Sequence, residues 1–146
     1  EGEWFGVFVK GSKYTGVELE IIRYWEEFRK EVRKRWKEGY VLVDMEPAEG
    51  FWVGIFAKST EQKVQAYSSP DDWDGVSTAI KQRWDNGFSL VSIEYGIGRW
   101  FCLFEKNDDR KAEAYVANNQ FNIFRSSIKK RWDKGFHLID LAEGRD

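Results

Sequence analysis

The chain has 146 residues, a formal net charge of −2 and 33% charged residues. This length suits one domain with a single core, and the near-neutral charge gives no general electrostatic reason to bind nucleic acid or an acidic membrane surface. Aromatic residues make up 17% of the chain and include eight Trp, enough to fill a core or to form a binding surface.

The sequence repeats every 48 residues without a gap. Each repeat opens with a Trp (Trp4, Trp52, Trp100). Each also has a second Trp near its end, followed three residues later by a Gly and then an aromatic residue (Trp36, Trp84, Trp132). We therefore predict a single domain, residues 1–146, built from three repeats at residues 2–49, 50–97 and 98–146.

Each repeat begins with a pattern typical of a β-strand, at residues 4–10, 52–58 and 100–106. Successive side chains point to opposite faces of such a strand, and both faces carry apolar residues, which indicates a strand covered on both sides. A polar turn follows, at residues 107–109 in the third repeat. A weaker strand is then predicted at residues 17–22, 63–68 and 111–116.

An amphipathic helix comes next in every repeat. Its apolar residues recur at steps of three and four (Trp25, Phe28, Val32, Trp36; Trp73, Val76, Ile80, Trp84; Phe121, Phe124, Ile128, Trp132). Asp72 and Asn119 are candidate N-caps. A shared glycine suits the left-handed position that ends a helix (Gly39, Gly87, Gly135).

A third strand is predicted directly after the helix, at residues 40–45, 88–95 and 136–141. We expect strands one and two to form a hairpin, strand three to run parallel to strand two, and strand three to pair antiparallel with the next repeat's first strand. The predicted fold class is α+β: a pseudo-threefold, closed nine-stranded mixed sheet (barrel) of three ββαβ repeats, with three helices outside. An open, strongly curved sheet is the alternative.

The string Trp-Asp-x-Gly-Phe after a basic helix, at residues 84–88 and 132–136, resembles a known repeat. It is similar to an uncharacterised domain that follows the kinase domain in plant casein-kinase-I-like protein kinases. The resemblance covers all three repeats and implies a non-catalytic interaction module without catalytic residues. The first repeat departs from it, with Lys37 and Glu38 after its Trp, and Leu19 where the others have Tyr67 and Tyr115.

Enzymatic chemistry has little support in the sequence. His137 is the single histidine and is expected to face solvent, while Cys102 replaces Gly6 and Gly54 and is expected to be a small buried residue. One histidine and one cysteine are too few for a zinc site, and no phosphate-binding loop occurs. We therefore predict no enzyme, no catalytic residues, no metal and no cofactor.

Three polar or aromatic positions recur and are the candidate binding residues. They are a strand-end lysine (Lys10, Lys58, Lys106), a helix arginine (Arg35, Arg83, Arg131) and the opening tryptophan (Trp4, Trp52, Trp100). In a closed ring the lysines would lie around one rim, where an anion could bind. Each set also has a purely structural interpretation: solvated strand ends, cations near a helix C-terminus, and core aromatics.

A protein partner is the first functional hypothesis, and a carbohydrate bound by one aromatic site per repeat is the alternative. Nucleic acid is disfavoured because the basic helix faces are not continuous, and no membrane partner is expected. A single cysteine and the lack of a signal peptide favour an intracellular protein, cytoplasmic or nuclear. The chain starts with Glu, so we expect a processed product or a fragment. Phe8, Phe56 and Phe104 would fill a tight barrel centre.

Overall fold

The computed structural model describes residues 4–106, 109 and 112–145. Residues 107–108 of the predicted turn at 107–109 and the first residue of the predicted strand at 111–116 lie outside this part of the chain. The elements, in chain order, are β1 (Tyr14–Ile22), α1 (Trp25–Lys37), β2 (Tyr40–Ala48), β3 (Phe51–Ser59), β4 (Gln65–Ser68), α2 (Trp73–Asp85), β5 (Phe88–Gly96), β6 (Arg99–Lys106) and α3 (Phe121–Trp132).

The strands form two separate three-stranded sheets, with the orders β1-β3-β2 and β4-β6-β5. In each sheet the central strand is the first strand of one repeat, and the two outer strands belong to the preceding repeat. We call β1, α1, β2 and β3 the first module, and β4, α2, β5 and β6 the second module. The folded module is thus offset from the sequence repeat by one strand.

The prediction of a closed nine-stranded barrel is wrong, because the described strands form two open three-stranded antiparallel sheets. The physical reason lies in the central strand of each module. β3 pairs antiparallel with β1 along one edge and with β2 along the other, so both of its ladders are filled within the first module. The edge of β3 that the barrel prediction assigns to β4 of its own repeat is occupied by β1, so the sheet does not continue from the first module into the second. Phe8, Phe56 and Phe104 accordingly do not share a barrel centre.

The hairpin predicted between the first two strands of one repeat is also wrong. β3 and β4 are consecutive in the second repeat, yet they belong to different sheets. The prediction that a third strand pairs antiparallel with the next repeat's first strand is confirmed for β5 and β6, where Tyr95 lies opposite Trp100. The turn between them has left-handed Ile97 (φ 51°) and Gly98 (φ 73°).

All three predicted helices form, and α1 and α2 bury residues of the predicted apolar face, whereas α3 has no buried residue. The Asp72 side chain caps α2 by accepting a hydrogen bond from the Gly75 backbone N–H at 2.7 Å, as predicted. Asn119 is not the N-cap of α3; that residue is Gln120, which makes no capping side-chain hydrogen bond. The shared glycine after each helix is left-handed, as predicted, with φ between 77° and 84° (Gly39, Gly87, Gly135).

The chain divides into two compact units. The first contains the residues up to Met45 together with Phe51–Lys63, and the second contains Glu46–Gly50 together with the residues from Val64 onward. In the first unit Phe28 and Val32 of α1 are fully buried, as is Phe56 of β3. In the second unit the core includes Val76 and Ile80 of α2, with Phe104 of β6. In both units a helix therefore packs on a central strand from the following repeat.

Three predicted strand regions have no strand in the described part of the chain. Residues 4–10 are exposed and have no regular structure, and residues 112–116 and 136–141 in the third repeat also lack a strand assignment. These regions correspond to the central strand of a module and to its two outer strands, respectively. Helix α3, which lies between the last two in sequence, has no buried residue.

Candidate interaction surface

The opening tryptophans do not share one environment. Trp52 is 2% exposed and its ring centroid lies 4.8 Å from that of Trp25 on α1, while Trp100 is 6% exposed and lies 5.0 Å from Tyr95. Trp4 is 63% exposed. Two of the three rings are therefore core residues and have no free face on which a sugar could stack.

Arg35 lies at the centre of an ion-pair network on the sheet-facing side of α1. Its guanidinium contacts the carboxylates of Glu18, Glu20 and Glu31, and the guanidinium lies 5.9 Å from the centre of the Phe56 ring. Burial by itself lowers the pKa of Arg35, but the hydrogen bonds to the three carboxylates outweigh it and raise the pKa. Arg35 is thus a paired, structural cation.

The carboxylate of Glu18 also accepts a hydrogen bond from the Tyr40 hydroxyl at 2.6 Å. This hydrogen bond and the one from Arg35 lower the pKa of Glu18, and the same contact with Glu18 raises the pKa of Tyr40. The network ties β1 to the end of α1 and to the start of β2.

Arg35 contacts the Tyr40 ring at 5.2 Å as well as the Phe56 ring. Arg83 repeats both contacts, and Arg131 repeats the one to the third-strand position. Arg83 lies 5.8 Å from the Phe88 ring and 5.7 Å from the Phe104 ring, and it donates a hydrogen bond to the Tyr67 carbonyl. Arg131 lies 5.8 Å from the Phe136 ring. In both modules, then, the guanidinium contacts one ring from the third strand and one ring from the central strand.

Lys58 and Lys106 lie at or near the ends of β3 and β6, and the three lysines share no common rim, since the two sheets are separate. Lys10 lies in the exposed segment, and Lys58 places its ammonium 5.2 Å from the Tyr40 ring. The backbone N–H of Lys106 donates to the Val64 carbonyl. The predicted anion site between the three lysines therefore has no ring to form in.

Nucleophilic and metal-binding groups are scarce in the described part of the chain. Cys102 is fully buried, and this burial raises the pKa of its thiol to about 12. His137 is exposed, as predicted. Among the described residues no group of three or more His, Cys, Asp or Glu side chains could hold a metal ion, and no helix combines the length and apolarity needed to cross a membrane.

The basic face of α1 is partly neutralised. Lys30, Arg33, Lys34 and Lys37 line a shallow, open depression together with Glu38. Within the helix, Lys34 contacts Glu31 at 3.1 Å, and Arg29 contacts Glu26 at 3.0 Å. Alternating acids and bases on one face are typical of a solvated helix and do not favour a phosphate backbone.

Among the described residues, the most exposed large apolar side chains lie in the segment of residues 4–10, which we call the apolar segment. Its five large apolar side chains are 63% to 94% exposed (Trp4, Phe5, Val7, Phe8, Val9). Equivalent residues in β3 and β6 are among the most buried in the chain, with Phe56 and Phe104 both at 0%. The sequence pattern predicts a strand covered on both sides at residues 4–10, and this prediction is wrong. In the two modules, the helix and outer strands that cover the equivalent strand belong to the preceding repeat.

A second apolar surface lies in the third repeat. It comprises exposed residues of α3 and of the segment that follows it (Phe121, Ile123, Trp132, Leu138, Ile139, Leu141). We call residues at equivalent positions of two repeats siblings. Leu138 is 50% exposed, whereas its sibling Leu42 in the first module is 1% exposed. We call this surface the third-repeat face. Exposed apolar patches of this kind mark interaction sites in proteins.

The third repeat also contacts the second module. The Asp140 carboxylate accepts a hydrogen bond from the Ile93 backbone N–H at 2.7 Å, and the Glu113 carboxylate accepts one from Leu90. The Tyr115 ring lies 6.0 Å from that of Trp73. Two carboxylates thus accept backbone N–H groups of the edge strand β5, which otherwise could pair with another chain.

The chain matches no known family model, and no curated protein or solved structure shows significant similarity to it. The resemblance of its Trp-Asp-x-Gly-Phe strings to the plant kinase-associated domain therefore stays a prediction. The functional interpretation rests on the exposed and buried surfaces alone.

Proposed function

We propose that this protein is a non-enzymatic protein–protein interaction module that binds its partner through the apolar segment. The observation that carries the proposal is the exposure of five large apolar side chains within residues 4–10, with Phe5 at 91% and Phe8 at 94%. The sequence of this segment has the apolar alternation of a strand, and a segment that can form a strand can be taken into the sheet of another protein.

The polar groups support a binding role over catalysis. Arg35 is occupied by three carboxylates, and the buried Cys102 thiol has a raised pKa that keeps it protonated near neutral pH. A sugar site on each opening tryptophan has no support, because Trp52 and Trp100 are buried. An intracellular location belongs to the same proposal and draws on the single cysteine.

Site-specific photo-crosslinking tests the proposal. A benzophenone amino acid replaces Phe8 in the chain, which is returned to the source cell, irradiated and analysed by mass spectrometry. We expect cross-linked protein peptides at this position. The same group in place of Val64, which is 52% exposed outside the apolar segment, is the matched control. Equal labelling at both positions, or no protein adduct at position 8, would contradict the proposal.

A further inference from the structure

We propose that the apolar segment of one chain enters the third repeat of a second copy of the same chain, as the central strand between residues 112–118 and 136–141. The inference rests on the proposed function and names its partner. Both modules show the pattern: a central strand with a Trp at its start and a Phe four residues later lies between the outer strands of the preceding repeat. The third repeat has the outer segments and the helix, and the first repeat has the unused strand.

Sequence equivalence supports this fit. Trp4, Gly6 and Phe8 are the siblings of Trp52, Gly54 and Phe56 in β3. On the face that packs against α1, a Cβ added at Gly54 would lie 2.9 Å from the Phe28 ring, so only a very small residue allows the helix to approach. Gly6 keeps this property, and Phe124 on α3 is the sibling of Phe28.

The arginine contacts point to the same partner. Arg35 and Arg83 each contact a ring of the third strand and a ring of the central strand, namely Phe56 or Phe104. Arg131 contacts the Phe136 ring, which is the third-strand contact. The position equivalent to Phe56 and Phe104, the central-strand contact, is Phe8, which is 94% exposed. Entry of Phe8 beside Arg131 would complete the arrangement that the two modules share.

Burial in the third repeat shows what entry would change. Val76 and Ile80 of α2 are at most 1% exposed, whereas α3 has no buried residue. Tyr67 stacks on Phe101 of its central strand at 5.5 Å, while its sibling Tyr115 packs beside Trp73 instead. With the new strand in place, Phe5 would occupy the position that Phe101 has next to Tyr67.

The register of the added strand follows from the observed ladders. Gln65 lies opposite Glu105 and Ala66 opposite Phe104 in the second module. Moving this pattern by one repeat places Glu113 opposite Val9, and Ala114 opposite Phe8. The contact joins two different surfaces, so it is heterologous: successive chains associate head to tail and form a ring or an open filament.

Disulfide trapping between two variants tests the register. Chains with Val9→Cys and chains with Glu113→Cys are mixed and mildly oxidised. Opposed strand residues have Cβ atoms about 4.5–5.5 Å apart, close to the separation in a disulfide, so we expect a covalent dimer of the two variants. Ala117→Cys is the matched control, because it lies about 13 Å further along the strand; we expect severalfold less dimer with it.

Light scattering over a range of concentrations provides the second measurement. We expect the mean mass to rise above that of one chain, Phe8→Ser to reverse most of this rise, and Val64→Ser to leave it unchanged. A single-chain mass at every concentration together with no trapped dimer would overturn the second-copy proposal. A chain carrying both Val9→Cys and Glu113→Cys that closes on itself as a monomer would overturn it as well.

The two proposals fail differently. If photo-crosslinking at position 8 captures another protein while trapping between copies fails, the interaction function stands and the second-copy assignment falls. If position 8 captures no protein of either kind, both fall. Cross-links from position 8 to residues 112–118 of the same sequence, in covalent dimers, support both.

Discussion

Helices α2 and α3 have the same repeat pattern but differ in the burial of their apolar faces. In α2, Val76 and Ile80 are buried against Phe104 of β6. In α3, the sibling residues Phe124 and Ile128 are only partly buried, and Phe121 is 71% exposed. The two helices differ in one respect that the repeat explains: β6 from the following repeat lies against α2, and no equivalent strand lies against α3 among the described residues.

The 48-residue sequence repeat is therefore not the folding module. A module needs the second strand, helix and third strand of one repeat and the first strand of the next. An amphipathic helix gains most of its stability from packing its apolar face, so α3 lacks the main source of stability that α1 and α2 have.

Replacing a central-strand phenylalanine should have the largest effect. Phe56→Ala removes a fully buried ring from the first module and should lower the free energy of unfolding by about 3–5 kcal/mol. Phe8→Ala, the sibling change, removes a ring that is 94% exposed and should change it by less than about 0.5 kcal/mol in dilute solution. Urea unfolding followed by circular dichroism measures both. Equal losses would show that residues 4–10 are already packed.

Overpacking the close contact of helix and strand should have the next largest effect. In Gly54→Val the new side chain would meet the rings of Phe28 and Phe56 and should cost about 1–3 kcal/mol. Gly6→Val meets only the exposed Phe8 ring, and we expect no measurable loss. Thermal unfolding of the two variants at low concentration compares them, and a loss for Gly6→Val would contradict the exposed position of the apolar segment.

The helix caps give a smaller contrast between α2 and α3. Asp72→Ala removes the side-chain acceptor of the Gly75 N–H and should destabilise the second module by about 1 kcal/mol. Asn119→Ala removes no cap, because Gln120 occupies the N-cap position of α3. Unfolding monitored by the helix signal should therefore shift for the first variant alone. A similar shift for both would mean that Asn119 caps α3 in solution.

Acidity should affect the first module through Glu18, whose siblings Ala66 and Ala114 carry no charge. Its folded-state pKa lies below the ordinary value of 4.5 because of Tyr40 and Arg35. Such a group stabilises the fold above its unfolded-state pKa, and this stabilisation is lost as the pH falls through the folded-state pKa. The stability difference between the wild type and Glu18→Gln should thus shrink from pH 6 downward through about pH 4 and below. A difference that stays constant would show that Glu18 is not paired.

The sequence was sufficient to predict the helices and most of the strands, since the spacing of Phe28, Val32 and their siblings determines which helix face is buried. It also indicated the roles of Cys102 and His137 through comparison with sibling positions. Strand pairing was not predictable in the same way: the pattern of β3 is compatible with a neighbour in either its own or the preceding repeat. Choosing the wrong neighbour led to the predicted barrel.

The candidate site was predicted less well for the same reason. Trp4, Trp52 and Trp100 occupy equivalent positions of the three repeats, yet only Trp4 is exposed. Trp52 and Trp100 lie in central strands that pair with two outer strands of the preceding repeat. The residue type of the Trp does not indicate whether such outer strands are paired with its segment. An equivalent position in the repeat therefore does not by itself determine burial.

Hydrogen exchange of the three helices tests the offset module most directly. Backbone N–H groups in α1 and α2 should exchange slowly in dilute solution, because both helices pack on a central strand, and those in α3 should exchange close to the rate of an exposed helix. Protection of α3 equal to that of α2 under the same dilute conditions would contradict the offset module, since it would mean that the third repeat is stable without a central strand.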